Sequence, residues 1–232
     1  MQIITDKLKA DYYDNGFVLL KKVISDKQIT TLLNELNYFN REMNHYGVRD
    51  LMSKVPCIFD LAYSKEFLQI AQFILGEKAK PIRSVFFDKI PQANWNVAWH
   101  QDTSIAVSTK ADLEGFKLWR IKQGVVHVEP PERYLVSILT LRLHLDTTTL
   151  ENGALRVIPK SHKNGRINAA KIAALVEENQ AVSGDANAGD VLLMNPLLLH
   201  ASRKAITATH RRIIHIEYSA MDLPAPLIWH ET

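Results

Sequence analysis

YLVSILTLRLHLD, residues 134–146, reads as a long strand in which Arg142 shares one face with Thr140 and His144. Strand-like runs extend from it in both directions. On the N-terminal side lie RSVFFDKI (83–90), NVAWHQD (96–102) and VVHVEP (125–130). On the C-terminal side lie ALRVIP (154–159), GDVLLMN (189–195), LLLHAS (197–202) and RRIIHIEYS (211–219), with Gly, Pro or Asn between most of them. Before Pro81 the period is helical instead. From the capping residue Ser25, the segment 25–43 spaces Ile29, Leu32, Leu33, Leu36 and Phe39 along one face. Residues 64–75 repeat the pattern and stop at Gly76, and GFVLLKKV (16–23) is a short strand. Many strands after a helical block predict a mainly β protein with flanking helices around a double-stranded β-helix, a cupin-like jelly roll.

The expected organisation is one domain over 1–232, with a mostly helical support in 1–80 and the jelly-roll core in 81–220. Residues 103–124 are expected to form a long inserted loop that covers a pocket. A second insertion, about 163–180, should carry a short surface helix in INAAKIAALVEE (167–178).

Composition excludes several function classes. The net charge is +3, from 28 basic and 25 acidic residues, and the basic residues are dispersed, so no nucleic-acid footprint is present. One cysteine, Cys57, permits no internal disulfide and is read as buried and inert. No run approaches the roughly 18 apolar residues of a membrane span, and the first 16 residues lack a signal-peptide core. A soluble, cytoplasmic protein acting on a small molecule, with neither nucleic acid nor membrane as partner, is the expectation. Oligomeric state is not legible.

His100-Gln101-Asp102 carries the chemistry. Alternation puts His100 and Asp102 on the same side of a strand, as two adjacent ligands of one metal require. His200 ends the apolar run LLMNPLLLH, where an ionisable group is costly without a function. Two histidines and a carboxylate form the facial set that suits iron(II) and leaves positions open for cosubstrate and oxygen. Arg211, eleven residues on, could offer its planar fork to a carboxylate, with Ser202 adding a hydroxyl. Arg212, its neighbour, must face the other way. Read without context, H-x-D is a weak signal, and Arg142 with His144 could equally form the polar outer face of an edge strand.

The sequence resembles the phytanoyl-CoA dioxygenase family of iron(II)/2-oxoglutarate oxygenases. The resemblance is carried by DYYDNGFVLLKKVISDKQITTLL (11–33), WHQD (99–102), LHLDTTTLENGALRVIPKSHKNG (143–165) and GDVLLMNPLLLHAS (189–202) followed by Arg211 and Glu217-Tyr218. It implies that His100, Asp102 and His200 bind iron, that Arg211 and Ser202 hold the far carboxylate of 2-oxoglutarate, and that Arg142 contacts cosubstrate or substrate. With O2, such a site hydroxylates an unactivated C–H and releases succinate and CO2. A non-catalytic cupin-like protein binding the metal and 2-oxoglutarate is the alternative. Halogenating relatives lose the aspartate of H-x-D, whereas Asp102 is retained here, which implies hydroxylation. Lys160 stands where a glycine is common.

The remaining polar and aromatic candidates are placed by position alone. Trp95 and Trp99 are read as packing or rim residues. His127, Glu129, Trp119 and Arg120 could face substrate, and His162 and His210 look like surface turn residues.

Overall fold

The computed structural model describes residues 4–43, 47–206 and 210–232, so residues 1–3 of the N-terminal segment read above lie outside it. Seven helices are described: α1 Asp6–Asn15, α2 Asp26–Met43, α3 Leu51–Lys54, α4 Pro56–Ala62, α5 Lys65–Leu75, α6 Glu132–Val136 and α7 Ala169–Glu178. The strands are β1 Phe17–Leu20, β2 Gly47–Arg49, β3 Lys80–Lys89, β4 Val97–His100, β5 Ile105–Val107, β6 Lys117–Lys122, β7 Val125–Glu129, β8 Ile138–His144, β9 Leu155–Val157, β10 Val182–Ser183, β11 Val191–Met194, β12 His200–Ser202 and β13 Arg211–Ser219.

They form three antiparallel sheets, ordered β1-β11-β8-β13-β3-β2, β10-β9-β12-β4 and β5-β7-β6. This is the predicted jelly-roll class, with open antiparallel sheets rather than a closed barrel. Strand alternation gives the six-stranded sheet two different faces. Phe86, Leu139, Leu141, Leu143, Val191, Leu193, Ile214, Ile216 and Tyr218 point to one side and form a single apolar core with helices α1 to α5. The opposite side of β3, β8 and β13 therefore holds Arg83, Phe87, Lys89, Arg142, His144, Arg211, His215 and Glu217. Buried polar residues on that scale need a function or partners. The second sheet covers this side, and Leu155 and Val157 pack on Leu192 and Met194.

Local chemistry explains the helical block. The Thr5 hydroxyl caps α1 by accepting from Leu8 N, and Gly16 at φ 83° ends it in the left-handed conformation. A Cβ at Gly16 would meet the His162 ring at 2.4 Å, so the turn into β1 requires glycine twice over. Ser64 caps α5, and the Tyr218 hydroxyl donates to Ala62 O at 2.8 Å, tying the helices to β13.

Three sequence expectations change. Residues 134–136 are the end of α6, not strand, because Pro131 sets its N-terminal boundary and Tyr134 and Leu135 turn inward. Residues 103–124 are not a plain loop: they contribute β5 and β6, which flank β7. Leu197 to Leu199 are buried in the turn before β12, where Asn195 Oδ1 accepts from Leu197 N. The helix expected near 167–178 is α7, and none of its residues is buried.

Candidate metal centre and dicarboxylate site

His100 ends β4, and Asp102 lies two residues beyond, its N–H donating to Pro196 O at 2.9 Å. Gln101 fixes the alternation. Its side chain points away, donating to Leu197 O at 2.6 Å and Gly165 O at 2.8 Å while accepting from Ile167 N. His100 and Asp102 are thus left on the opposite side. There β12 pairs with β4 so that His200 stands opposite His100.

The three side chains converge, their ligand atoms all within 4.8 Å of one another. Asp102 Oδ1 is 3.9 Å from His100 Nε2, and Oδ2 is 3.6 Å from His200 Nε2. Each histidine has its Nδ1 close to the carbonyl two residues earlier, Ala98 O at 2.9 Å and Leu198 O at 2.8 Å. A carbonyl can only accept, so Nδ1 carries a proton in both rings, and Nε2 of each, directed at Asp102, is the atom left for a metal. Burial lowers His200 to about 4 against the pull of Asp102. Burial alone would raise the Asp102 carboxyl, but His200 and His100 draw it well below the carboxylate range. Two imidazole nitrogens and a carboxylate are the donor set that an octahedral divalent ion accepts on one face.

The triad opens on a cavity of about 400 Å³, which Arg142, Ser202 and Arg211 also line. Arg211 is 4% exposed and donates to Gly153 O, and its Nε has no partner among the described residues. Directly across the ladder stands Lys89, 1% exposed. Its ammonium donates to Ser202 Oγ at 2.5 Å and Arg203 O at 2.6 Å. Burial, then Arg211, pushes Lys89 down to about 7. Two like charges opposite each other on adjacent strands repel, and neither forms an ion pair among the described residues. An anion placed between them would relieve that cost. Sequence reading missed Lys89, although a lysine on the same strand face as Phe87 was the available signal.

Arg142 reaches the cavity between these groups, with NH1 2.9 Å from His215 Nδ1 and its guanidinium 5.8 Å from the Phe87 ring. Its strand, β8, is central, so the outer-edge reading of that face is replaced by an inner one. His144 is buried but bonded to Thr148 Oγ1 and does not line the cavity. Arg212 faces away and pairs with both oxygens of Asp146.

Of the other candidates, Trp95, Arg120 and Glu129 line the cavity. His127 is buried, across from Arg120 on the neighbouring strand, and does not line the cavity, and Trp119 packs on a separate apolar cluster. Trp99 stacks with Arg156, His210 pairs with Asp88, and His162 is half-buried against Tyr13 O. Cys57 is half-buried, and burial raises its thiol to about 11, away from reactivity.

Several solved structures share the fold. The non-heme alpha ketoglutarate dependent carbocyclase SnoK from nogalamycin biosynthesis superposes with a TM-score of 0.76 at 15% identity, covering 98% of this chain and 87% of its own. EctD from S. alaskensis, solved with 2-oxoglutarate and 5-hydroxyectoine, gives 0.72 at 19% identity over 93% and 76%. HygX from Streptomyces hygroscopicus, solved with iron bound, gives 0.68 at 17% identity over 94% and 87%. No curated protein sequence matches the chain. No described helix is long and apolar enough to cross a membrane.

The cofactor expectation of iron and 2-oxoglutarate is thus supported from two sides, by what these neighbours hold and by the His100–Asp102–His200 set of this chain. The family model for phytanoyl-CoA dioxygenase (PhyH) matches residues 12–213, a span that takes in His100, Asp102, His200 and Arg211, and the chain therefore belongs to that family of iron/2-oxoglutarate oxygenases.

Proposed function

We propose that the protein hydroxylates an unactivated C–H bond of a small molecule, using iron(II), 2-oxoglutarate and O2 and releasing succinate and CO2. The observation that carries this reading is one cavity with two kinds of anchor. A His–Asp–His set stands at one place in it and Arg211 with Ser202 at another, and Lys89, across the ladder from Arg211, donates to Ser202 Oγ. A keto acid with a second carboxylate has a partner for each end, and hydrolytic or isomerising metal chemistry needs no such clamp.

His100, His200 and Asp102 would hold the metal on one face, their rings fixed by the Ala98 and Leu198 carbonyls. Bound iron with 2-oxoglutarate supplies the oxidising equivalent for C–H cleavage as the keto acid is decarboxylated. Arg211 and Ser202 would orient the distal carboxylate, with the Lys89 ammonium held on Ser202 Oγ. The β5-β7-β6 sheet, which brings Arg120, Lys122 and Glu129 to the cavity, screens it from water and aligns the substrate. Retention of Asp102 supports hydroxylation over halogenation.

The test is succinate formation from 2-oxoglutarate in air with iron(II) and no added substrate. Slow, iron-dependent turnover is expected in the wild type, with none in Asp102→Ala. Absence of succinate from the iron-loaded wild type would favour the non-catalytic binding protein.

A further inference from the structure

A second group of cations lies in the same cavity, away from Arg211. Arg49 ends β2, Arg83 lies on β3, and Arg120 and Lys122 share a face of β6. Arg83 and Lys89 are six residues apart on one strand, about 20 Å at strand rise. The Arg211–Lys89 couple and this group therefore occupy opposite ends, and Asp102 lies within electrostatic reach of Arg83 and Arg49.

Arg83 is engaged by Glu217 at 2.9 Å, and Glu129 is already held by Arg166 at 3.3 Å. Arg49, Arg120 and Lys122 form no ion pair among the described residues. Arg49 and Lys122 are not free surface residues, since both are half-buried. Burial, then Arg83, lowers Arg49, and burial, then Arg49, Arg83 and Arg120, lowers Lys122.

A side-chain amide ties the two strands that carry this repulsive set. Gln123, next to Lys122, donates to Gly47 O at 2.7 Å and accepts from Arg49 N at 3.0 Å. The turn between β6 and β7 is thereby pinned to β2, with Gln123 and Gly124 both at positive φ. A fold that fastens three unpaired cations around one opening is built to receive negative charge there.

We propose that Arg49, Arg120 and Lys122 form a phosphoryl subsite, and that the substrate is a small molecule bearing a phosphate ester or phosphonate. A carboxylate has one charge and two oxygens, enough for a single guanidinium fork. A phosphoryl group, with three terminal oxygens and up to two charges near neutral pH, can engage two forks and an ammonium at once. Anchored at that end, the substrate extends its oxidisable carbon toward the triad and leaves Arg211 and Lys89 to the cosubstrate. This assignment rests on the oxygenase reading above.

The experiment is calorimetric titration of the full chain, loaded with nickel(II) and 2-oxoglutarate, with methyl phosphate, methylphosphonate and acetate. At least one phosphoryl probe should bind one-to-one and at least tenfold more tightly than acetate, and the tighter of the two identifies ester or phosphonate. Arg49→Gln and Lys122→Gln should each weaken it at least fivefold, with 2-oxoglutarate affinity changed less than twofold. Acetate binding as tightly as either phosphoryl probe, phosphoryl binding indifferent to both substitutions, or no binding would overturn the subsite. So would binding that competes with 2-oxoglutarate and is lost in Arg211→Ala instead. Failure of 2-oxoglutarate to bind would remove the oxygenase reading, and phosphoryl binding sensitive to Arg49→Gln in the nickel-loaded protein would still support the subsite.

Discussion

Lys89 has an ordinary lysine side chain in an unusual place, facing Arg211 and in no ion pair among the described residues. The unfolded chain keeps that proton to about 10.5, whereas the folded protein releases it near 7. Between those values the unfolded state binds more protons, so the ligand-free protein should gain stability as pH rises through this window. A bound dicarboxylate favours the charged ammonium. Affinity for 2-oxoglutarate should therefore be flat below pH 7 and weaken above it, by up to tenfold per pH unit. Lys89→Met should remove that slope and cost at least tenfold in affinity at pH 6, measured by calorimetry on the metal-loaded protein. A variant that keeps the wild-type slope would contradict the role. His100, Asp102, His200 and Arg211 were legible because strand alternation and family resemblance pointed to the same side chains. Lys89 was passed over because sharing a strand face with Phe87 names no partner for it, and only the register with β13 sets Arg211 opposite.

At the scale of elements, Gln101 joins β4, the turn before β12 and the segment leading into α7 through three hydrogen bonds. Gln101→Ala would leave those backbone groups unpaired, costing about 1–3 kcal/mol in denaturant unfolding. It should also weaken metal binding roughly 10- to 100-fold in chelator competition, because the ligands lose their support. The segment after β13 is clasped in a similar way. The Glu231 carboxylate accepts from Ser84 N, Ser84 Oγ and Met52 N, yet burial outweighs these bonds and raises it from 4.5 to about 7. The folded state then holds a proton that the unfolded state has released. Stability from this group is full below pH 4.5 and falls as pH rises to 7. Unfolding of Glu231→Gln at pH 5 and 7.5 should show a smaller pH dependence than the wild type. An unchanged difference would place the effect elsewhere. The long amphipathic helices and strands were readable from period alone. The strands inside 103–124 were not, since β5 spans three residues and Leu118 at φ 55° breaks the alternation of β6.

In the whole molecule, one sheet does two jobs by virtue of its pleat. Its leucine, isoleucine and valine face packs on the helices, and the alternate residues deliver arginine and histidine to the cavity. The sequence pattern made that division visible on β8 and β13, while the meeting of β2 with the β6–β7 turn is a long-range contact that no local pattern announces. The central claim is that one cavity holds a metal by His100, Asp102 and His200 and a keto dicarboxylate by that metal and Arg211. Anaerobic titration of the metal-free protein with iron(II), then 2-oxoglutarate, tests it most directly in the visible spectrum. The account predicts a weak charge-transfer band that appears only when both are present, is lost in Asp102→Ala, and requires at least tenfold more 2-oxoglutarate in Arg211→Ala. A wild-type protein that binds iron and shows no band at saturating 2-oxoglutarate, or an Asp102→Ala variant that keeps the full band, would contradict it.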